Sequence, residues 1–116
     1  MRFKIPKNTE KYEWTQHAIG KMRHYGLTAQ RVLRLVKNPQ RVEEGIVKNT
    51  IAVMQPSSMS TKDGKRIWSS EIWTMYQIKR KTVGRQRMRI ISAWRYPGVS
   101  PKRDPIPDDI LRELEL

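Results

Sequence analysis

Apolar side chains recur at helical spacing in the first third of the chain. With residues placed 100° apart, one stripe is formed by Trp14, Ala18, Met22 and Tyr25. Thr15 precedes this segment and Gly26 follows it, and these residue types commonly begin and end helices. The pattern therefore predicts a helix over about 16–25.

A second helix is predicted directly after the first. Thr28 is the expected N-cap, and Pro39 ends the helix because proline cannot continue one. The inward stripe consists of Val32, Leu35 and Val36, with Leu33 at its edge. Because the link between the helices is short, we expect them to pack as a compact corner or hairpin.

After the second helix the apolar spacing shortens to that of β-strands. Residues 41–56 predict two short strands around a Glu-Gly or Lys-Asn turn. The apolar members of these strands are Val42, Ile46, Ile51 and Val53. Residues 57–66 predict a loop, since they combine serines with a Lys-Asp-Gly-Lys turn. A long strand over 67–79, rich in aromatic and branched residues, and a last strand over 87–96 follow.

The last strand is expected to alternate strictly between two faces. One face is predicted to hold Met88, Ile90, Ser92, Trp94 and Tyr96, and the other Arg87, Arg89, Ile91, Ala93 and Arg95. Residues 108–116 predict a short amphipathic helix with acids in its first turn, where the helix dipole favours them.

The predicted fold class is α+β. Strands joined by tight turns favour an antiparallel meander, so we expect two N-terminal helices packed on a four-stranded antiparallel sheet, followed by a short C-terminal helix. The chain divides into an N-terminal arm over 1–13, one domain over 14–96, and a linker with an acidic C-terminal helix over 97–116.

The 116-residue chain is strongly basic, with 24 Lys and Arg against 11 Asp and Glu and a net charge of +13. Residues 104–116 hold five of the acids and one base, so the rest of the chain is more basic still. Many basic surfaces serve solubility alone, but an excess this large favours RNA or the ribosome as a partner. The absence of cysteine excludes disulfides and thiol chemistry. No apolar run approaches the ~20 residues of a membrane span, which predicts a soluble, cytoplasmic protein without a membrane partner.

Both histidines fall on one flank of the first predicted helix. His17, Lys21 and His24 line up there at i, i+4 and i+7. RNA cleavage needs a base for the 2′-hydroxyl proton, an acid for the 5′-oxygen and cations for the growing phosphorane charge, which histidine, Lys and Arg supply. The alternative is that the histidines only border the core. Glu13 is the one acid at helical spacing from a histidine, so we expect no metal and no other cofactor.

A basic turn joins the last two predicted strands. Its cations, among which no acid lies, are Lys79, Arg80, Lys81, Arg85 and Arg87, and Arg89 follows them. These side chains are candidate contacts to a phosphate backbone. Trp68 and Trp73 fall on opposite faces of the predicted long strand, so one is expected outside the core. We predict that Trp73 stacks on a base.

Two segments resemble known bacterial proteins. "WTQHAIGKMRHYGLTAQRVLRLVKNP" resembles the opening of a small family of unknown function, with a His-Ala pair, a basic residue and Met, Gly-Ile/Leu-Ser/Thr and a Val-rich second helix. The matching positions are His17, Ala18, Lys21, Met22, Gly26, Leu27, Thr28 and Val32. "MRIISAWRYPG" resembles the last strand of BrnT-type toxins, which read Arg-Ile-Ile-Ser-Ala-Arg. Arg89 to Ala93 match this motif, whereas Trp94 replaces its final Arg and Arg95 follows.

Both groups are placed near the RelE/ParE-like toxin fold, in which two helices and an antiparallel sheet form metal-independent ribonucleases. The resemblance, over about 14–96, implies a toxin-type endoribonuclease that acts on RNA or at the ribosome, with an acidic antitoxin protein as its partner. It implies His17 as acid or base, and Lys21 and Arg95 as stabilisers of phosphate charge. Tyr96 or His24 is the implied second acid or base.

Two questions stay open on the sequence alone. The same cations suit a nonenzymatic nucleic-acid-binding module of this fold, in which the histidines are structural. The acidic C-terminal helix either caps the core through Ile110, Leu111 and Leu114 or occupies an anion site and reduces RNA binding.

Overall fold

The computed structural model describes residues 3–45, 48–81, 85–101 and 106–114. The elements in these ranges are β1 (Tyr12–Trp14), α1 (Gln16–Tyr25), α2 (Ala29–Lys37), β2 (Arg41–Glu44), β3 (Thr50–Pro56), β4 (Met59–Lys62), β5 (Lys65–Trp68), β6 (Ser70–Lys81), β7 (Arg85–Pro97) and α3 (Asp108–Leu114). Five strands form one sheet in the order β1-β7-β6-β3-β2, while β4 and β5 form a separate two-stranded sheet. The α+β class is confirmed, but the main sheet has five strands rather than four.

The two N-terminal helices have the predicted bounds and caps. The Thr15 side chain accepts a hydrogen bond from Ala18 N at 3.0 Å, and Gly26 ends α1 in the left-handed conformation at φ 67°. Thr28 caps α2 in the same way, accepting from Arg31 N at 3.1 Å. None of the helices in the described ranges is long and apolar enough to cross a membrane.

The main sheet is buried on both faces. Its buried residues form two clusters. The first, called here the helix-side core, contains Tyr12, Trp14, Ala18, Met22, Leu27, Val32, Leu35, Val53, Ile72, Tyr76, Ile90 and Ala93. The second, called the tryptophan core, contains Ala52, Met54, Trp73, Met75, Trp94, Ile106 and Ile110. Alternate β6 residues enter different cores, so each core lies on one face of the sheet. Helices α1 and α2 cover the face with the helix-side core, and α3 covers the face with the tryptophan core.

Strict alternation along the last strand is wrong, because β7 contains a β-bulge. Ser92 pairs with Met75 and Ile90 with Tyr76, so Ile91 has no partner on β6. Beyond the bulge the faces exchange: Ala93 joins Ile90 in the helix-side core, whereas Trp94 lies in the tryptophan core.

Part of the predicted N-terminal arm belongs to the sheet. Residues 12–14 form β1, which pairs with β7 in parallel, from Tyr12 opposite Met88 to Trp14 opposite Ile90. Tyr12 and Trp14 are buried while Glu13 is half-buried, so this short strand fills the sheet edge left open by β7. The main sheet is therefore mixed rather than wholly antiparallel.

The segment predicted as a loop over 57–66 contains most of a β-hairpin. Asp63 and Gly64 both have positive φ, 51° and 77°, which is the geometry of a two-residue hairpin turn. That turn lets β4 pair with β5, and the predicted long strand is accordingly divided after Trp68 into β5 and β6. Ile46 and the turn at 82–84 lie outside the described residues.

A buried glutamate ties the segment after β7 to the sheet. Glu71 is fully buried, and its carboxylate accepts from Trp68 Nε1 at 2.8 Å, Trp73 Nε1 at 2.9 Å and Ser100 Oγ at 2.5 Å. Arg41 Nη1 lies 3.8 Å from it and donates to Ser100 O at 2.9 Å. Burial acts to raise the pKa of Glu71, but the hydrogen bonds from Ser100 and the indoles outweigh it and lower that pKa.

We expect Glu71→Ala to lower the free energy of unfolding by about 3 kcal/mol, because it leaves two indole N–H groups and the Ser100 hydroxyl without their acceptor. Urea denaturation measures the change. Glu44→Ala, at an exposed position on β2, is the matched control and should cost under about 0.5 kcal/mol. Equal effects of the two substitutions contradict the assigned role of Glu71.

Candidate active site

The predicted row on α1 lines one shallow cleft. His17, Lys21 and His24 form its wall together with Gln16 and Gly20, and Glu113 of α3 contributes as well. The cleft has a volume of about 280 Å³. Helical spacing on α1 thus brings together the three side chains that the sequence placed on one flank.

His17 lies half-buried between a serine and a glutamate. Its Nε2 is 2.9 Å from Oγ of Ser92, which is fully buried, and its Nδ1 is 3.6 Å from a carboxylate oxygen of Glu113. Burial lowers the pKa of His17 below 6.5, and the nearby Lys21 charge lowers it further, against the opposing effect of Glu113 and Asp109. The imidazole is therefore neutral at pH 7. In the tautomer that donates from Nε2 to Ser92, Nδ1 keeps its lone pair.

Lys21 is held by two carboxylates of α3. Its Nζ lies 2.8 Å from Glu113 and 3.4 Å from Asp109, and its side chain is 13% exposed. Burial acts to lower the pKa of Lys21, but the hydrogen bonds and charges of Glu113 and Asp109 outweigh it and raise that pKa. The lysine is thus charged, and its charge is balanced within the fold.

The acidic helix α3 is anchored by apolar contacts as well as by charge. Ile110 is fully buried in the tryptophan core, against which Leu111 and Leu114 pack with partial burial. The same helix presents Asp109 and Glu113 to α1. The predicted packing of α3 against the core is therefore confirmed, and its acids also form ion pairs with Lys21.

Two other predicted site residues lie away from this cleft. Arg95 donates from Nε to the Tyr25 carbonyl at 2.8 Å, at the other end of α1 from His17. Tyr96 packs against the tryptophan core. Neither residue lines the cleft, so the structure does not assemble the full set that the resemblance implied.

The predicted nucleic-acid contacts near the basic turn have mixed outcomes. Arg89 Nε lies 2.8 Å and Arg87 Nη1 3.6 Å from Glu13, so both have an acidic neighbour. Lys79 is exposed. The side chains of Arg80, Lys81 and Arg85 lie outside what the structure describes.

Stacking of Trp73 on a base is ruled out by its burial. The side chain is fully buried and lies parallel to Trp94, with ring centroids 6.1 Å apart. The division of the predicted long strand at Trp68 explains the error, because Trp68 and Trp73 do not lie on opposite faces of one continuous strand. Both indoles instead donate to Glu71.

The sequence predicted an acidic C-terminal helix but did not indicate that Glu113 and Asp109 belong to this site. The signal was the acidic composition of the C-terminal helix opposite a basic body, but nothing local indicates that Lys21 is the partner, 92 residues before Glu113. Within the described ranges, no group of three or more His, Cys, Asp or Glu side chains is arranged to hold a metal ion.

Comparisons of this chain with protein-family models, with curated protein sequences and with solved structures gave no match.

The lowered pKa of His17 makes stability depend on pH. As the pH falls below 6.5, the unfolded chain takes up a proton on His17 before the folded protein does, so the free energy of unfolding decreases. We expect this loss between about pH 7.5 and about pH 5.5 to be smaller in His17→Asn, as measured by urea denaturation. His24→Asn keeps His17 and should retain the wild-type dependence. Identical pH profiles for wild type and His17→Asn contradict the assignment.

Proposed function

We propose that this protein is a metal-independent endoribonuclease of the RelE/BrnT-like toxin type, acting on RNA or at the ribosome. The observation that carries the proposal is the cleft in which neutral His17, charged Lys21 and His24 share one wall. The net charge of +13 supports a polyanionic substrate.

The cleft residues match the proton transfers of RNA cleavage. His17 Nδ1 takes the proton of the 2′-hydroxyl, and the 2′-oxygen attacks the adjacent phosphorus. The bond from phosphorus to the 5′-oxygen then breaks, His24 supplies a proton to that oxygen, and a 2′,3′-cyclic phosphate remains. Lys21 stabilises the extra negative charge on phosphorus during the exchange. No redox partner or metal enters these steps.

The carboxylates of α3 compete with the phosphate for Lys21. Glu113 and Asp109 form ion pairs with Lys21, the cation that the reaction uses, and their negative charges repel a phosphodiester from the cleft. Cleavage therefore requires RNA to displace these carboxylates. We propose that the acidic antitoxin implied by the resemblance competes with RNA for the same basic surface.

A nonenzymatic nucleic-acid-binding module is the second candidate function. The observation that favours it is that Ser92 and Glu113 flank the two ring nitrogens of His17, while Lys21 is already neutralised by two acids. In that case the row on α1 joins α1 to β7 and α3, and the basic surface binds phosphates without cutting.

Cleavage of end-labelled RNA in excess EDTA separates the two candidates. We expect wild type to leave 2′,3′-cyclic phosphate ends, and His17→Asn to cut about 100-fold more slowly or worse, because general acid–base catalysis contributes at least that much. Arg23→Gln is the control, because it removes a cation of α1 that lies over the Phe3 ring. RNA binding without cleavage by the wild type, with and without ribosomes, favours the binding module instead.

Removing the two α3 charges should strengthen RNA binding. We expect the pair Asp109→Asn and Glu113→Gln to raise affinity for single-stranded RNA and to steepen its salt dependence by about 0.7 in log–log slope, the value for one added phosphate contact. The control pair, Asp108→Asn with Glu44→Gln, changes the net charge equally without touching Lys21. Point substitutions are preferred to truncation because Ile110 is part of the core. Equal affinities for the two pairs contradict competition at Lys21.

A further inference from the structure

Three arginines converge at the end of the sheet where α1 meets α2. Gln55, Ile72 and Arg95 are laterally paired on β3, β6 and β7, so they form one row across three strands. Arg31 of α2 donates from Nη1 to Gln55 Oε1 at 2.5 Å, which places its guanidinium on this row. Arg34 lies one turn further along α2, and its carbonyl accepts from Gln55 Nε2 at 3.1 Å.

The chain holds two of these guanidiniums in place. Arg31 Nη2 lies 3.5 Å from the Pro56 carbonyl, in addition to the bond from Nη1 to Gln55. Arg95 is fixed through Nε by the Tyr25 carbonyl, a bond that uses neither of its Nη groups. Arg34 and Arg95 are exposed and Arg31 is half-buried. A pre-positioned, solvent-facing set of arginines is suited to phosphate oxygens.

None of these three arginines forms an ion pair with a carboxylate in the part of the chain that the structure describes. Other cations of this basic protein, such as Lys21 and Arg41, do have acidic partners. Burial and the charges of Arg34 and Arg95 lower the pKa of Arg31, so the Arg31 guanidinium is repelled by both neighbours. A bound anion relieves that repulsion.

The adjoining β4–β5 hairpin extends the basic surface from this cluster. It leaves the main sheet at Pro56 and Ser70, beside the carbonyl that Arg31 faces. Near its turn it carries Lys62, Lys65 and Arg66, all exposed. A second group of exposed cations, near the turn of a hairpin that starts beside the cluster, fits a chain of phosphates better than one small anion.

We propose that Arg31, Arg34 and Arg95 form a phosphate subsite that binds the backbone of single-stranded RNA, and that the hairpin carrying Lys62, Lys65 and Arg66 extends this subsite. The choice of RNA rests on the proposed function. The subsite lies at the C-terminal end of α1, about 12 Å along the helix from His17, which corresponds to roughly four nucleotides of a stacked strand. An RNA strand held there reaches the cleft along α1.

Binding of a 2′-O-methyl oligonucleotide, which has no 2′-hydroxyl and so is not cut, tests the subsite separately from catalysis. We expect the triple variant Arg31→Gln, Arg34→Gln and Arg95→Gln to reduce the log–log salt slope of binding by about 2, for three lost contacts. The control triple Lys4→Gln, Lys7→Gln and Lys48→Gln removes the same charge from exposed positions elsewhere, Lys48 lying just before β3, at the end opposite Gln55. Equal slopes in the two triples overturn the proposal.

A rescue variant and a phosphate-binding measurement separate the subsite from unfolding and from free-anion binding. Replacing the same three arginines by lysine keeps the charge and should restore most of the slope, whereas a variant that merely unfolds shows no such rescue. Inorganic phosphate tests whether the site binds a free anion instead of RNA. The proposal is wrong, and the site takes free phosphate, if two results occur together: phosphate at about 1 mM raises the melting temperature of wild type but not of the Gln triple, and the salt slopes of RNA binding are equal in the two triples. A subsite effect on binding in a protein that fails to cut RNA supports the subsite and contradicts only the proposed cleavage.

Discussion

In β7 one residue, Ile91, has no partner on β6, and the strand changes phase beyond it. The carbonyl of Ile91 accepts a hydrogen bond from the Thr15 hydroxyl at 3.0 Å, and the Thr15 hydroxyl oxygen in turn caps α1 by accepting from Ala18 N. The bulge therefore fixes where α1 begins. Because Ser92 follows the bulge directly, it lies where Nε2 of His17, in the first turn of α1, reaches it at 2.9 Å.

The same change of phase lets the sheet bury both faces. Ala93 contributes to the helix-side core and Trp94 to the tryptophan core, which needs α3 to cover it. Once Ile110 is buried there, Glu113 and Asp109 of the same short helix lie within reach of Lys21. The acidic character of the cleft is thus a consequence of how the second face of the sheet is covered.

Charge compensation divides the basic surface into two kinds of region. At Lys21, Arg41 and Arg89 a carboxylate lies within ion-pair distance, so those cations contribute to the fold. In the cluster of Arg31, Arg34 and Arg95, the guanidiniums of Arg31 and Arg95 donate to carbonyl and amide oxygens, which orient them without neutralising them. Net charge alone does not distinguish these regions, because it counts every cation equally.

Both N-terminal helices, the turn at Gly26 and the strands β2 and β3 were predictable from the sequence. Their caps and periods involve residues within four positions of one another, so the information is local. The β4–β5 hairpin was missed although its Asp-Gly turn is a local signal. Strand β1 was missed for a different reason, since three residues carry too little pattern and their pairing with β7 is long-range.

The helices, the shared flank of His17, Lys21 and His24, and the strongly basic charge follow from the sequence alone, because spacing along one helix and composition do not depend on the rest of the fold. Which of those charges are balanced depends on the tertiary structure. The partners of His17 and Lys21 lie 75 and 92 residues away, and Gln55 is separated from Arg31 by 24. Whether a cation meets a carboxylate or a carbonyl depends on strand register and helix docking, which no local pattern encodes.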